Sequence, residues 1–134
     1  MAGYSETPLI KKLGIKEGSK IIFINEPAIF YKELGEMPSD IKPAQGLHGQ
    51  FDYIHFFTNN RIDLGNFFKL ILKFIKKDGM VWVSWPKKSS GEVTDLDENV
   101  IRSVGLKLGM VDVKVAAIND TWSGLKFVFR TKDR

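Results

Sequence analysis

The chain has 134 residues, of which 43% are hydrophobic and 27% charged, with 20 Lys+Arg against 16 Asp+Glu and a formal net charge of +4. These proportions suit one globular domain and exclude a disordered tail, a coiled coil and a collagen-like fibre. With Cys at 0, the chain forms no disulfide, no thiolate zinc site and no cysteine nucleophile.

Met1 to Glu6 lack a basic start followed by an apolar run, so no signal peptide is expected. Thr7-Pro8 predicts the opening of a short helix, with Leu9, Ile10 and Leu13 as its apolar contacts and Gly14 as its end. The run Lys20 to Asn25 predicts a strand buried on both faces. Pro27 starts a second short helix, through Leu34, that Gly35 closes. From Glu36 to Gln50, with Pro38, Pro43, Gly46 and Gly49, the chain reads as a loop with one weak edge strand near Ile41 to Leu47.

Phe51 to Phe57 predicts the second strong strand, and Asn59-Asn60 breaks it and caps a third helix. That helix is expected over Leu64 to Lys77, with Lys69, Lys73, Lys76 and Lys77 on its outer face and Asp78-Gly79 as its end. Lysines interrupt its apolar run, which is also shorter than the ~20 residues of a spanning helix. No membrane span is expected, and a cytoplasmic protein is the default. Met80 to Trp85 predicts a third buried strand, stopped by Pro86, and Lys87 to Glu92 a polar loop. Thr94 or Asp95 is the expected cap of a helix with Leu96, Val100, Val104 and Leu108 on its inner stripe and Gly109 as its end. Val111 to Ile118 and Leu125 to Arg130 alternate in period two, and Asn119 to Gly124 join them as a hairpin.

Buried strands alternating with helices predict an α/β protein. The sheet is expected to be mostly parallel and wrapped on both faces, a three-layer arrangement that closes with a C-terminal antiparallel hairpin. No linker or repeat divides residues 1–134, so one domain is expected.

This order resembles the class I S-adenosylmethionine-dependent methyltransferase fold, a Rossmann-like sheet that also ends in a helix and an antiparallel hairpin. The stretch Leu13 to Ile22 is similar to the lead-in to that fold's first strand. Phe51-Asp52-Tyr53-Ile54 resembles the strand crossing the middle of its site, and Lys77-Asp78-Gly79-Met80-Val81-Trp82-Val83 the turn into the next. More narrowly, the chain resembles a family of small bacterial proteins of unknown function with a truncated form of the fold. Gly3-Tyr4-Ser5 with Thr7-Pro8-Leu9, Trp85-Pro86-Lys87-Lys88-Ser89, Thr94-Asp95-Leu96 and Trp122-Ser123-Gly124-Leu125 carry that likeness.

The resemblance implies a glycine-rich turn after the first strand, where bare backbone approaches the cofactor. Here the turn reads Asn25-Glu26-Pro27-Ala28, and no glycine follows until Gly35. Pro27 offers no amide hydrogen. The acidic residue that would hold the ribose has no clear counterpart. The expectation is a fold that has lost its usual cofactor, with no cofactor assigned.

In open α/β sheets ligands sit beyond the carboxyl ends of the strands. The candidate ligand-binding residues at and just beyond those ends are Asn25, Glu26, Thr58, Asn59, Trp85, Lys87, Lys88 and Ser89, and Trp122 is a further candidate. Lys87, Lys88 and Ser89 carry ammonium and hydroxyl groups suited to a phosphate or carboxylate, against a reading as solvated loop. Trp122, placed in the hairpin turn, is expected to stack on a ligand, to insert into a second copy of the chain, or to pack over the end of its own sheet. Residues 61–91 hold 7 basic and 2 acidic groups, a patch that suits a small anionic ligand and is small for a nucleic-acid binder. The two histidines, His48 and His55, have no carboxylate at ligand spacing, so no metal is expected, and His55 reads as a packed sheet residue. No serine sits in a nucleophile elbow. The reading is a pseudoenzyme, a non-catalytic binding or assembly module with a homo-oligomer through the hairpin as one form. The alternative is an atypical S-adenosylmethionine-dependent methyltransferase, or an enzyme acting on an anionic small molecule held by Lys87 and Lys88.

Overall fold

A computed structural model describes residues 7–134. Met1 to Glu6, and with them Gly3-Tyr4-Ser5 and the question of a leader, lie outside the described residues. The sheet has five strands: β1 (Ile21–Ile24), β2 (Phe51–Phe57), β3 (Ile75–Pro86), β4 (Met110–Ala117) and β5 (Trp122–Phe129). Their order across the sheet is β1-β2-β3-β5-β4. β1, β2 and β3 run parallel, whereas β5 is antiparallel to both β3 and β4. This is the expected α/β architecture with its closing hairpin.

Helices α1 (Leu9–Leu13) and α2 (Ala28–Leu34) cover one face. There Leu13, Phe30 and Leu34 pack with Tyr53, Phe57 and Trp82 of the sheet. Helices α3 (Arg61–Ile71) and α4 (Glu98–Lys107) cover the other, where Leu64, Phe68, Ile71 and Ile101 meet Ile54, Phe56, Val81 and Phe127. The two-faced arrangement follows from a change of direction at β1. After α2 the chain passes outside β1, where Ala44 bridges Ile22 in parallel and its amide donates to the Ile21 carbonyl at 2.9 Å. It then returns to β2 on the inner side. Right-handed crossovers moving in opposite directions place their helices on opposite faces. The expected edge strand near Ile41 to Leu47 is reduced to this single bridge.

Local chemistry sets most boundaries. Gly14 ends α1 with φ +85°, a value glycine adopts without steric penalty. Pro27 precedes α2, and Asn60 caps α3 by accepting from the Asp63 amide at 2.8 Å.

Three expectations are corrected. α3 stops at Ile71, and the turn Leu72 to Phe74 leads straight into β3 at Ile75. Lys76 and Lys77 are therefore strand residues, Asp78-Gly79 lies within β3, and no helix presents the expected lysine face. The extra residues are absorbed as a register shift between Phe51 and Tyr53. Lys76 instead pairs with Asp52 at 2.9 Å. The cap of α4 is Asp97, which accepts from the Val100 amide at 2.9 Å. Thr94 and Asp95 have other tasks: Thr94 donates to the Asn59 carbonyl at 2.7 Å, and Asp95 accepts from the Arg61 amide at 2.9 Å. With the later start, the inward line of α4 is Ile101 and Gly105, while Val100, Val104 and Leu108 pack at its margin. Third, Trp122 is not in the hairpin turn. It opens β5 opposite Pro86, and the turn is tightened by Asn119, whose Oδ1 accepts from the Thr121 and Trp122 amides at 2.9 and 2.8 Å.

Candidate functional site

The direction change at β1 leaves a crevice between the carboxyl ends of β1 and β2, the position at which open α/β sheets hold ligands. A cavity of about 230 Å³ lies there, lined by Asn25, Phe57, Thr58, Asn59, Asp63 and Trp122. Four of the candidates named from the sequence, Asn25, Thr58, Asn59 and Trp122, line it together.

Each lining group is placed by its element. Asn25 turns the chain out of β1 with φ +58°, a left-handed conformation that Asn tolerates better than other residues with a Cβ. A glycine would make the same turn and leave the space open; Asn25 puts a side chain at the mouth. Thr58 follows β2, its amide held by the Ser84 carbonyl at 3.0 Å. Trp122 stands edge-on to Phe57, ring centroids 5.3 Å apart, so the aromatic wall belongs to the protein's own core margin. Phe57 and Asp63 are the lining residues the sequence reading missed; Asp63 is the polar one. The signal was its position three residues after the Asn60 cap. It accepts from Asn60 Nδ2 at 3.0 Å, and Asn60 Nδ2 also donates to Asn59 Oδ1 at 3.0 Å. The cavity therefore offers amide, hydroxyl and carboxylate groups against two rings.

The remaining candidates lie elsewhere. Glu26 is half-buried and accepts a hydrogen bond from the Tyr31 hydroxyl. Burial and then that bond push the Tyr31 pKa up to about 12. Trp85 is buried in the core under α3 and α4. Lys87 is half-buried and its amide donates to the Thr121 carbonyl at 2.7 Å. Lys88 and Ser89 are exposed on a short 3-10 turn, Lys88–Ser90. None of these residues lines the cavity.

The sequence reading also missed a polar chain beneath the α1/α2 face. His55 Nδ1 lies 2.9 Å from the Tyr53 hydroxyl, and Nε2 lies 2.7 Å from the Ser84 hydroxyl. All three residues are buried, and His55 stacks on Phe57 at 4.5 Å. Burial brings the His55 pKa down to about 3 and holds the Tyr53 hydroxyl well above its ordinary value. A neutral, enclosed imidazole with both nitrogens engaged is a structural group. Among the described residues, no set of three His, Cys, Asp or Glu converges as a metal site, and no helix is long and apolar enough to cross a membrane.

No family model matches the sequence, and no curated protein matches it. Solved structures do match the fold. Ribosomal protein L11 methylase from Lactobacillus delbrueckii subsp. bulgaricus aligns with a TM-score of 0.58 and 14% identity, over 91% of this chain and 75% of that one. The fibrillarin pre-rRNA processing protein of Methanococcus jannaschii aligns with a TM-score of 0.56 and 15% identity, over 95% of this chain and 70% of that one. LepI, solved in complex with SAM, aligns with a TM-score of 0.51 and 11% identity, over 92% of this chain and 47% of that one. The fold is the methyltransferase-like Rossmann fold, and at these identities the likeness extends to the fold alone.

Proposed function

We propose that this protein is a binding module on a methyltransferase-like fold, without methyl-transfer activity. The observation that carries the reading is the turn after β1. Asn25, Glu26 and Pro27 put side chains and a missing amide hydrogen where a nucleoside cofactor needs bare main chain. The adjoining cavity, at about 230 Å³, is below the roughly 300–1,000 Å³ of ordinary ligand pockets. Its amides, hydroxyl and paired rings suit a small planar polar group better than a whole nucleoside with an amino-acid tail. The carboxylate at the strand end, Glu26, is engaged by Tyr31, and the buried imidazole is enclosed.

A second reading, an atypical S-adenosylmethionine-dependent enzyme, is favoured by where the cavity sits. It occupies the ends of β1 and β2 in a fold shared with methylases. The anion-dependent enzyme built on Lys87 and Lys88 draws less support, because both lie away from that cavity.

Isothermal titration with S-adenosylmethionine and S-adenosylhomocysteine separates the readings. No heat of binding into the millimolar range is expected. A dissociation constant in the micromolar range overturns the proposal in favour of the second reading.

A further inference from the structure

Away from the crevice, the molecule gathers unpaired positive charge beside one edge of its sheet. β4 is the terminal strand and pairs with β5 on one side only, among the described residues. On it, Val113 and Val115 are 53% and 54% exposed. Between them, Lys114 turns to the face that carries α1, where its Nζ donates to the Lys12 carbonyl at 2.8 Å. Lys12 in turn donates to the Ala117 carbonyl at 2.9 Å. Lys126 stands opposite Lys114 in the β4–β5 ladder, and its Nζ lies 4.0 Å from where a Cβ on Gly14 would be.

Burial lowers the Lys12 pKa, and the charges of Lys114 and Lys87 lower it further. Burial likewise lowers Lys126, followed by Lys114 and Lys16. Contact geometry thus joins three lysines into a row, Lys12, Lys114 and Lys126, and Lys87 and Lys16 lie near enough to act on Lys12 and Lys126. No ion pair among the described residues includes any of them. A lysine near a helix end satisfies its last carbonyls, which accounts for Lys114. It does not account for the row, because like charges directly opposite in a ladder destabilise the sheet.

We propose that the free edge of β4 and the lysine row beside it form a docking strand for an extended segment of a partner protein in which acidic and apolar residues alternate. The main chain of such a segment supplies the hydrogen bonds an edge strand lacks. Successive strand residues point to opposite faces, so Lys114 and Val115 present ammonium on one side and apolar surface on the other. β4 has a register irregularity at Val113, and from Lys114 onward an added strand meets both with a period of two. A nucleic acid would use the row and leave the edge and the valines idle. A second copy of this chain would set Lys114 against its own like.

Fluorescence anisotropy with the full chain and a labelled dodecapeptide of alternating Glu and Val tests this. Saturable binding is expected. It weakens at least about tenfold in a Lys114→Glu, Lys126→Glu variant, whose fold is checked by circular dichroism. It weakens by a similar factor when alternate peptide nitrogens are methylated, which keeps the charges and removes ladder donors. The methylated peptide tests the edge even where the variant fails to fold. The proposal is overturned by absence of peptide binding, by undiminished binding of the methylated peptide, by equal or tighter binding of an oligouridylate, or by a dimer that excludes the peptide.

Discussion

His55 Nε2 and the Ser84 hydroxyl lie 2.7 Å apart between β2 and β3, with both residues at 0% exposure. The Tyr53 hydroxyl holds the other ring nitrogen at 2.9 Å. An imidazole placed among Phe23, Phe30, Phe57 and Trp82 is tolerable only when neutral and hydrogen-bonded at both nitrogens. This chain of three groups is what lets a polar residue sit in the centre of the sheet.

The first prediction follows from its protonation. His55 titrates near 6.5 when exposed and at about 3 in the fold. Between those values the unfolded chain binds the proton and the folded chain does not. The contribution to stability is therefore full above pH 6.5 and falls as pH drops toward 3, with a slope of up to about 1.4 kcal/mol per pH unit. Urea unfolding at several pH values from 7 to 4.5 is expected to show this slope, and His55→Phe to flatten it.

Ser84→Ala tests the same chain from its other end. Removing the hydroxyl leaves His55 Nε2 buried without a partner, which costs about 1–3 kcal/mol. The His55→Phe, Ser84→Ala double variant is expected to lose less than the sum of the two single losses, because the second change removes the group the first one orphaned. Chemical denaturation of the four proteins measures the coupling.

Two glycines give opposite outcomes for one substitution. Gly65 lies inside α3, and a Cβ added there would meet nothing within 4 Å, so Gly65→Ala is expected to stabilise by up to about 1 kcal/mol through helix propensity. Gly105 lies inside α4, but there a Cβ would come 2.7 Å from both Cδ1 and Cζ of Phe127. That ring is fully buried and edge-on to Phe68 at 5.1 Å, so it has nowhere to move. Overpacking of about 1–3 kcal/mol outweighs the propensity gain, and Gly105→Ala is expected to destabilise. Thermal melts of the two variants should shift in opposite directions.

These elements also show what the amino-acid order made legible. β2 matched its expected limits of Phe51 and Phe57, because a run rich in aromatic and β-branched residues is followed closely by Asn59-Asn60. α2 ended where Gly35 stood. The end of α3 was not legible, because Leu72, Phe74 and Ile75 continue its apolar pattern and are equally good strand formers. Asp78-Gly79 had the composition of a stop but sits at a strand irregularity. Thr94, Asp95 and Asp97 are all competent caps, and only their tertiary tasks choose Asp97.

In the crevice, Asn25, Thr58 and Asn59 were legible from the rule that ligands sit at strand ends, whereas Trp122 was singled out only as a large ring expected in the hairpin turn. Trp85 was not legible, because its side chain points to the core under α3 and α4. Neither was the partnership of His55 with Ser84. Period two places Tyr53, His55 and Phe57 on one face, but the identity of the facing residue depends on the register of β2 against β3.

The claim that the turn after β1 no longer takes a nucleoside cofactor is tested most directly by residue-resolved amide spectra during titration with S-adenosylhomocysteine. The account predicts that the Asn25, Glu26, Thr58 and Asn59 signals stay fixed up to millimolar ligand. Saturable shifts of those four amides at micromolar concentration would contradict it.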